Sequence, residues 1–444
     1  MDFVNKTSFP AQAFQAIDQF GQEFHVLVAR QTFSFASGEL RTTELQRPLC
    51  ASDTGFDDSL VGSVEHESDY APFKPRCDVI VNAVAHPPEH KNLKSFAVRM
   101  RLWRNNESRC LIDKELTVHG RRVLLQRAFP IRAGFFLLKW CALTLLRPCP
   151  WRIKQIDKCK PVPVRYESAY GGECLVMADQ LARTKVPKKF RLNGQQIANH
   201  PEAAAGRPAP IAHRAYDPNP CGTGFAQEWY LRATRTTVIE APAIEHPDFP
   251  LKAKQFQRWL ALVRQSECEA SSFRLPAGFG ILPKTHPMRR TLVGTVDDTF
   301  IASAAPLPEN FDFAMWQGAP ADQQIDYPTG GEEIDLANLC AAGTPSARTD
   351  DGNNTYLRLR LPTDRLILKV RDANDNGSIL PMVIDTIIIE PEQQMVSLVW
   401  RRTIPFADAA LTSAELCSVT ASRVLKERIA LNIGSDEASH DGRT

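Results

Sequence analysis

Phe96-Ala97-Val98-Arg99-Met100-Arg101-Leu102-Trp103 alternates apolar with charged side chains, a period of two that belongs to a strand with one face in a core. Upstream, Asp78 to Ala85 is a β-branched run carrying Val79, Ile80, Val81 and Val84, and both stretches read as strands of one sheet. Phe24 to Phe33 alternates well enough for a half-buried strand, after which Ser37-Gly38-Glu39 supplies a turn. Downstream, strands are expected at Thr355 to Arg360, Leu366 to Val370, Val383 to Ile389 and Met395 to Trp400, as a β-meander. In the last of these Met395, Ser397 and Val399 oppose Val396, Leu398 and Trp400, which predicts one buried and one partly wet face. The 32 prolines argue against a helical bundle, because each fixes φ and removes a backbone donor.

Helix is expected in two places. Phe256, Leu260 and Val263 recur at helical spacing within Lys252 to Ser266, and Thr412 with Glu415 has the spacing of a capping box that would open a helix running to about Leu431. The fold class that follows is mainly β: two packed β lobes of antiparallel sheets with a few short helices. Along the chain this divides into a β-rich lobe over 1–165, a glycine- and proline-motif region over 166–345, and C-terminal strands with a helix over 346–434. The polar residues 435–444 read as a mobile tail.

At 444 residues and 43% hydrophobic content the chain can bury a large core. A formal net charge of +2 supplies no global field for steering onto nucleic acid or an anionic membrane. The eleven cysteines form no C-x-x-C pair and read as reduced, mostly buried thiols in a reducing cytosol. Met1 to Pro10 lacks the apolar run of a signal peptide. Gly134 to Leu146 is the most apolar stretch, but Lys139 interrupts it and it falls short of the roughly 20 residues that span a bilayer. It reads as a buried strand pair or core helix, or as a docking surface flanked by arginines. Asn193 to Pro220, rich in Pro, Ala, Asn and Gly, reads as a long loop or lobe junction.

Candidate chemistry is sparse. Asp372-Ala373-Asn374-Asp375-Asn376-Gly377 fits the front half of a calcium loop, yet Val383 stands where the twelfth-position carboxylate belongs, and a polar hairpin loop is the better reading. His86-Pro87-Pro88-Glu89-His90 cannot bring its imidazoles together on a helix, because two prolines forbid one, and it reads as a loop. His213, Asp217 and Cys221 are close enough in sequence to suggest a Cys-His nucleophile, although such neighbours arise by chance among ten histidines and eleven cysteines. No phosphate-cradling loop, dinucleotide fingerprint or G-x-S-x-G elbow occurs.

Several segments together resemble a known bacterial family. They are Ser68-Asp69-Tyr70-Ala71-Pro72-Phe73-Lys74-Pro75 with Asp78-Val79, Val118-His119-Gly120-Arg121, and Pro163-Val164-Arg165-Tyr166-Glu167-Ser168-Ala169-Tyr170-Gly171-Gly172. Asn219-Pro220 with Gly222 and Gly224, Pro276-Ala277-Gly278-Phe279-Gly280, and Ala319-Pro320-Ala321-Asp322-Gln323 with Gly330-Gly331-Glu332 continue the series. In this order, from Asn5, Thr7 and Phe9 to Leu336, they resemble the type VI secretion effector adaptors encoded beside effectors with a PAAR-like spike-tip domain. The chain departs from that pattern at His286, Met288 and Phe300, where the family has Trp, Pro and Trp, and it lacks the pentapeptide repeats that many members carry.

The resemblance implies a cytoplasmic adaptor and chaperone that holds its effector and helps mount it, through the PAAR-like domain, on the VgrG spike. It implies no catalytic residue, cofactor or metal, no nucleic acid and no stable membrane insertion. Phe73, Lys74, Asp78, Arg121, Tyr166, Gly171, Gly172, Gly278, Phe279, Asp322, Gln323 and Glu332 are the positions that would bind the partner or define the fold. A hydrolase with an unrecognised cleft, or a structural component of the spike complex, are the alternative expectations.

Overall fold

The computed structural model describes residues 1–56, 62–89, 92–104, 109–126, 151–169, 237–254, 256, 277–406 and 411–420. Within them the chain is mainly β, with several antiparallel sheets and a few short helices. The central seven-stranded sheet runs in the order Gln324–Ile325, Cys77–Val81, Val383–Glu390, Met395–Pro405, Glu23–Ser34 and Ala11–Ile17, with Arg41–Thr42 added beside Glu23–Ser34. Its longest pairing aligns Met395 with Ser34 and Pro405 with Phe24. Cys77–Val81 and Val383–Glu390 are parallel neighbours, which long crossovers in the chain permit.

A six-stranded antiparallel sheet follows the order Ile244–Glu245, Cys110–His119, Ser95–Trp103, Glu333–Ala337, Thr355–Arg360 and Ala347–Thr349. Alternation sends Val98, Met100, Leu102, Ile334, Leu336, Leu357 and Leu359 inward, where they meet Val79, Val81, Ile387, Ile389, Leu398 and Trp400 of the central sheet in one apolar core. A four-stranded sheet of Asp2–Asn5, Leu411–Val419, Arg365–Asp372 and Gly377–Pro381 adds Leu366, Leu368, Val370, Ala414 and Leu416 to the same core. Each such side chain contributes about 1.5–3 kcal/mol when fully buried, so the meeting of these faces dominates the fold.

Several expectations are corrected. The Asp78 and Phe96 stretches lie in different sheets. Every residue of Cys77–Val81 is buried, whereas Ser95–Trp103 alternates buried with wetter positions, and a continuous β-branched run is the mark of a strand covered on both faces. Val396 through Trp400 are also all buried, so the outer face carrying Ser397 and Val399 is covered rather than wet. The C-terminal strands make two hairpins, but Thr355–Arg360 belongs to the six-stranded sheet, so they do not form one meander.

The helix expected from Thr412 is a strand through Val419, parallel to Asp2–Asn5 and antiparallel to Arg365–Asp372. Thr412 Oγ1 donates to the carbonyls of Arg371 and Asp372 instead of capping an amide, and Ala414 and Leu416 are buried two residues apart, a strand period that outweighs the local capping pattern. Ala253, Lys254 and Phe256 are helical, with the Phe256 ring edge-on to Trp151 at 5.1 Å, while the rest of that expected helix lies outside the described residues. So do the 134–146 and 193–220 stretches, the residues after Thr420, and Gly171, Gly172, His213, Asp217 and Cys221.

Candidate functional site

The outer face of the central sheet carries Asp78, Thr386, Val399 and Arg30 in one cross-strand row. Residues 46–56, 62–74 and 277–323 cover it, and they do so with paired charges. Asp78 has no solvent exposure and accepts from Lys74 Nζ at 2.9 Å, Gln317 Nε2 at 2.6 Å, Gly318 N at 2.8 Å and Ala319 N at 3.2 Å. Lys74 Nζ also donates to Thr386 Oγ1 at 3.0 Å, and that hydroxyl donates to Asp385 Oδ1 at 3.0 Å. A bulge between Ile384 and Thr386 turns Asp385 out of the ladder, where its other oxygen meets Arg401 Nε. Arg401 Nη1 donates to the carbonyls of Asp69 and Ala71, and Asp69 Oδ2 pairs with Arg30 Nη1 at 3.2 Å.

Three acids and three bases thus alternate through a dry layer. Burial pulls the Lys74 ammonium down, but Asp78, Asp385 and Glu67 together outweigh it and hold the pKa above the ordinary lysine value. Burial pushes the Glu67 carboxyl up against the opposing pull of Arg289, Lys74 and Lys284, with Arg289 Nη2 at 2.7 Å from Glu67 Oε1.

A second knot sits beside the first. Gln323, fully buried, donates through Nε2 to the carbonyls of Val79 at 2.9 Å and Phe279 at 2.8 Å, while its Oε1 accepts from Lys114 Nζ at 2.7 Å. Lys114 pairs with Asp322 at 3.1 Å, and burial lowers its pKa despite that partner. The Tyr166 hydroxyl donates to the Gly280 carbonyl at 2.9 Å, and its ring lies so close to Gly278 that a Cβ there would stand 2.3 Å from Cε1. Glu332, also fully buried, accepts from Thr329 N at 2.6 Å and Gly330 N at 2.8 Å, fixing a turn in which Gly330 has φ +90°. Asp78, Lys74, Tyr166, Gly278, Phe279, Asp322 and Gln323 therefore sit where distant segments are tied together, while Glu332 fixes its own local turn.

Two of the singled-out positions face outward. Arg121 pairs with Glu240 at the surface, with Nε at 2.9 Å from Oε1. Phe73 is 39% exposed and stands edge-on to Phe313 at 6.0 Å, which in turn stands edge-on to buried Phe311 at 5.3 Å. The ionic layer fixes both sides of this aromatic group: Lys74 follows Phe73 in the chain, and Gln317 to Ala319, held by Asp78, follow the Phe313–Trp316 turn. Arg289 adds hydrogen bonds to the Met315 carbonyl.

Sequence reading missed Asp385, Thr386, Arg401, Gln317 and Phe313. A usable signal existed for the first three, since polar residues inside the apolar runs Val383 to Ile389 and Met395 to Arg402 imply buried partners.

The 372–377 segment is a hairpin turn in which Asp372 accepts from Asn374 N, Asn376 N and Asn376 Nδ2, with Asp375 at φ 63°. His86 is in a loop, 3.3 Å from Glu392. Glu65, His66 and Glu390 are near enough to share an ion, but the Arg47 guanidinium already occupies Glu390 and His66 lies 3.5 Å from its other oxygen, an arrangement of ion pairs. Among the described residues no helix is long and apolar enough to cross a membrane.

The sequence pattern of a family described as an uncharacterized protein conserved in bacteria (DUF2169) matches residues 20–401. The chain belongs to this family. The matched span includes every member of the ionic layer, from Arg30 to Arg401, and the whole aromatic group around Phe73. No curated protein and no solved structure matches the chain.

Proposed function

We propose that this protein is an adaptor and chaperone that binds a cognate type VI secretion effector through its PAAR-like domain and helps load it onto the VgrG spike. The order of motifs from Ser68 to Glu332 supports the reading at the level of resemblance. The observation that carries it is physical: an exposed aromatic, Phe73, is mounted beside a layer of buried, paired charges.

A side chain held in place before its partner arrives loses little conformational freedom on binding, and aromatic anchors supply much of the energy of protein interfaces. A small β-structured spike-tip domain exposes edges and apolar patches that invite aggregation, and a β-rich partner covers them. The test is co-expression of the effector encoded beside this chain. Its soluble fraction should rise several-fold with the adaptor present and the two should co-purify; equal solubility in its absence, with no complex, would refute the role.

A further inference from the structure

A cleft of about 510 Å³ opens between the outer edge of the six-stranded sheet and the turn that follows Glu23–Ser34. Ser346 Oγ donates to the Gly38 carbonyl at 2.5 Å and ties the two walls together. Its size suits a small ligand or a short peptide end. The floor is Asp335, 3% exposed, whose Oδ2 pairs with Arg101 Nη2 at 2.8 Å. Arg358 approaches the same oxygen only to 3.8 Å with 68% of its side chain exposed, and among the described residues Asp335 Oδ1 has no hydrogen-bond partner. A buried carboxylate oxygen left without a donor costs about 1–3 kcal/mol or more, a cost that a donor entering by the cleft would remove.

The remaining charges point the same way. Asp350 is occupied by Asn354 N at 2.8 Å, by the Asn354 amide and by the Tyr356 phenol. Arg101 already answers Asp335. Arg358 is held only by its long 3.8 Å ion pair with Asp335, and among the described residues the Arg348 guanidinium has no ion pair. Two guanidinium forks call for an anion. A dianionic phosphate would meet Asp335 and Asp350 at close range, whereas a planar carboxylate carries one charge and matches the fork in shape. Turning Arg358 toward such a ligand breaks no hydrogen bond, because at 3.8 Å it makes none with Asp335.

We propose that this cleft binds a carboxylate bearing an N–H on the adjacent carbon, the group shared by a free α-amino acid and the C-terminus of a polypeptide. Arg348 and Arg358 take the carboxylate, and the N–H goes to Asp335 Oδ1. The cleft does not depend on the adaptor role.

The test is calorimetric titration of the full chain with alanine, propionate, inorganic phosphate, and an N-acetylated tetra-alanine peptide ending in either a free carboxylate or an amide. Saturable binding of alanine identifies the free amino acid as ligand, and binding of the acid peptide identifies a polypeptide end. In either case the matching control, propionate or the amide, should bind about tenfold more weakly or worse. Arg348→Ala, at an exposed position, should lower affinity about tenfold with an unchanged melting temperature. Failure of both alanine and the acid peptide to bind, or binding of phosphate or the amide as tightly as the carboxylates, would overturn the proposal.

Discussion

Replacing Asp78 by Ala removes one carboxylate and leaves four donors in a dry layer: Lys74 Nζ, Gln317 Nε2, Gly318 N and Ala319 N. The largest part of the cost is Lys74, which is buried and, among the described residues, keeps only the Thr386 hydroxyl as a hydrogen-bond partner. Breaking a buried pair from one side costs about 3–5 kcal/mol, against a total stability on the order of 5–15 kcal/mol. The Asp78→Ala protein should therefore lose about a fifth of its stability or more in urea denaturation followed by tryptophan fluorescence. Removing the stranded charge as well, in Lys74→Met with Asp78→Ala, should restore part of that loss and give a coupling energy of about 1–3 kcal/mol between the two sites. A single-variant loss below about 1 kcal/mol, or strict additivity in the double variant, would refute the view that this pair holds the cover onto the central sheet.

Other outcomes follow from single contacts. Gly278→Ala places a methyl group 2.3 Å from the Tyr166 ring and should cost about 1–3 kcal/mol by chemical denaturation, with Tyr166→Ala relieving the clash in the double variant. Gln323→Leu removes one of the two acceptors of Lys114, which keeps Asp322, and the amide donor to the Val79 and Phe279 carbonyls, and should destabilise by about 1–3 kcal/mol in the same assay. Burial, reinforced by Arg289, depresses the His286 pKa from 6.5 to about 4. Between those values the unfolded chain binds the proton and the folded one does not, so the neutral-imidazole contribution is complete above about pH 6.5 and is lost as the pH falls toward 4. The loss, on the order of 3 kcal/mol, should be absent in His286→Trp, measured as the pH dependence of the urea midpoint.

How legible all this was differs by element. Strands with clean alternation, such as Ser95–Trp103 and Thr355–Arg360, were readable because one face meets the core and the other meets water. Which sheet a strand joins was not, because register and sheet order are set by partners hundreds of residues away, as Met395–Pro405 against Glu23–Ser34 shows. The Thr412 strand was misread because a capping pattern is local and strand pairing is not. The site was legible in Lys74, Asp78 and Gln323, which stand in distinctive motifs. It was hidden in Asp385, whose role depends on a bulge that only the three-dimensional pairing reveals.

The most direct measurement of the adaptor reading is the affinity of the purified protein for the PAAR-like domain of its neighbouring effector, compared between wild type and Phe73→Ala. The Phe73 ring is 39% exposed and no charge layer depends on it, so folding stability should change by less than about 1 kcal/mol. Binding should weaken by about 2 kcal/mol or more, roughly thirtyfold. Unaltered affinity in the Phe73→Ala protein, or no complex at all with the wild type, would contradict it.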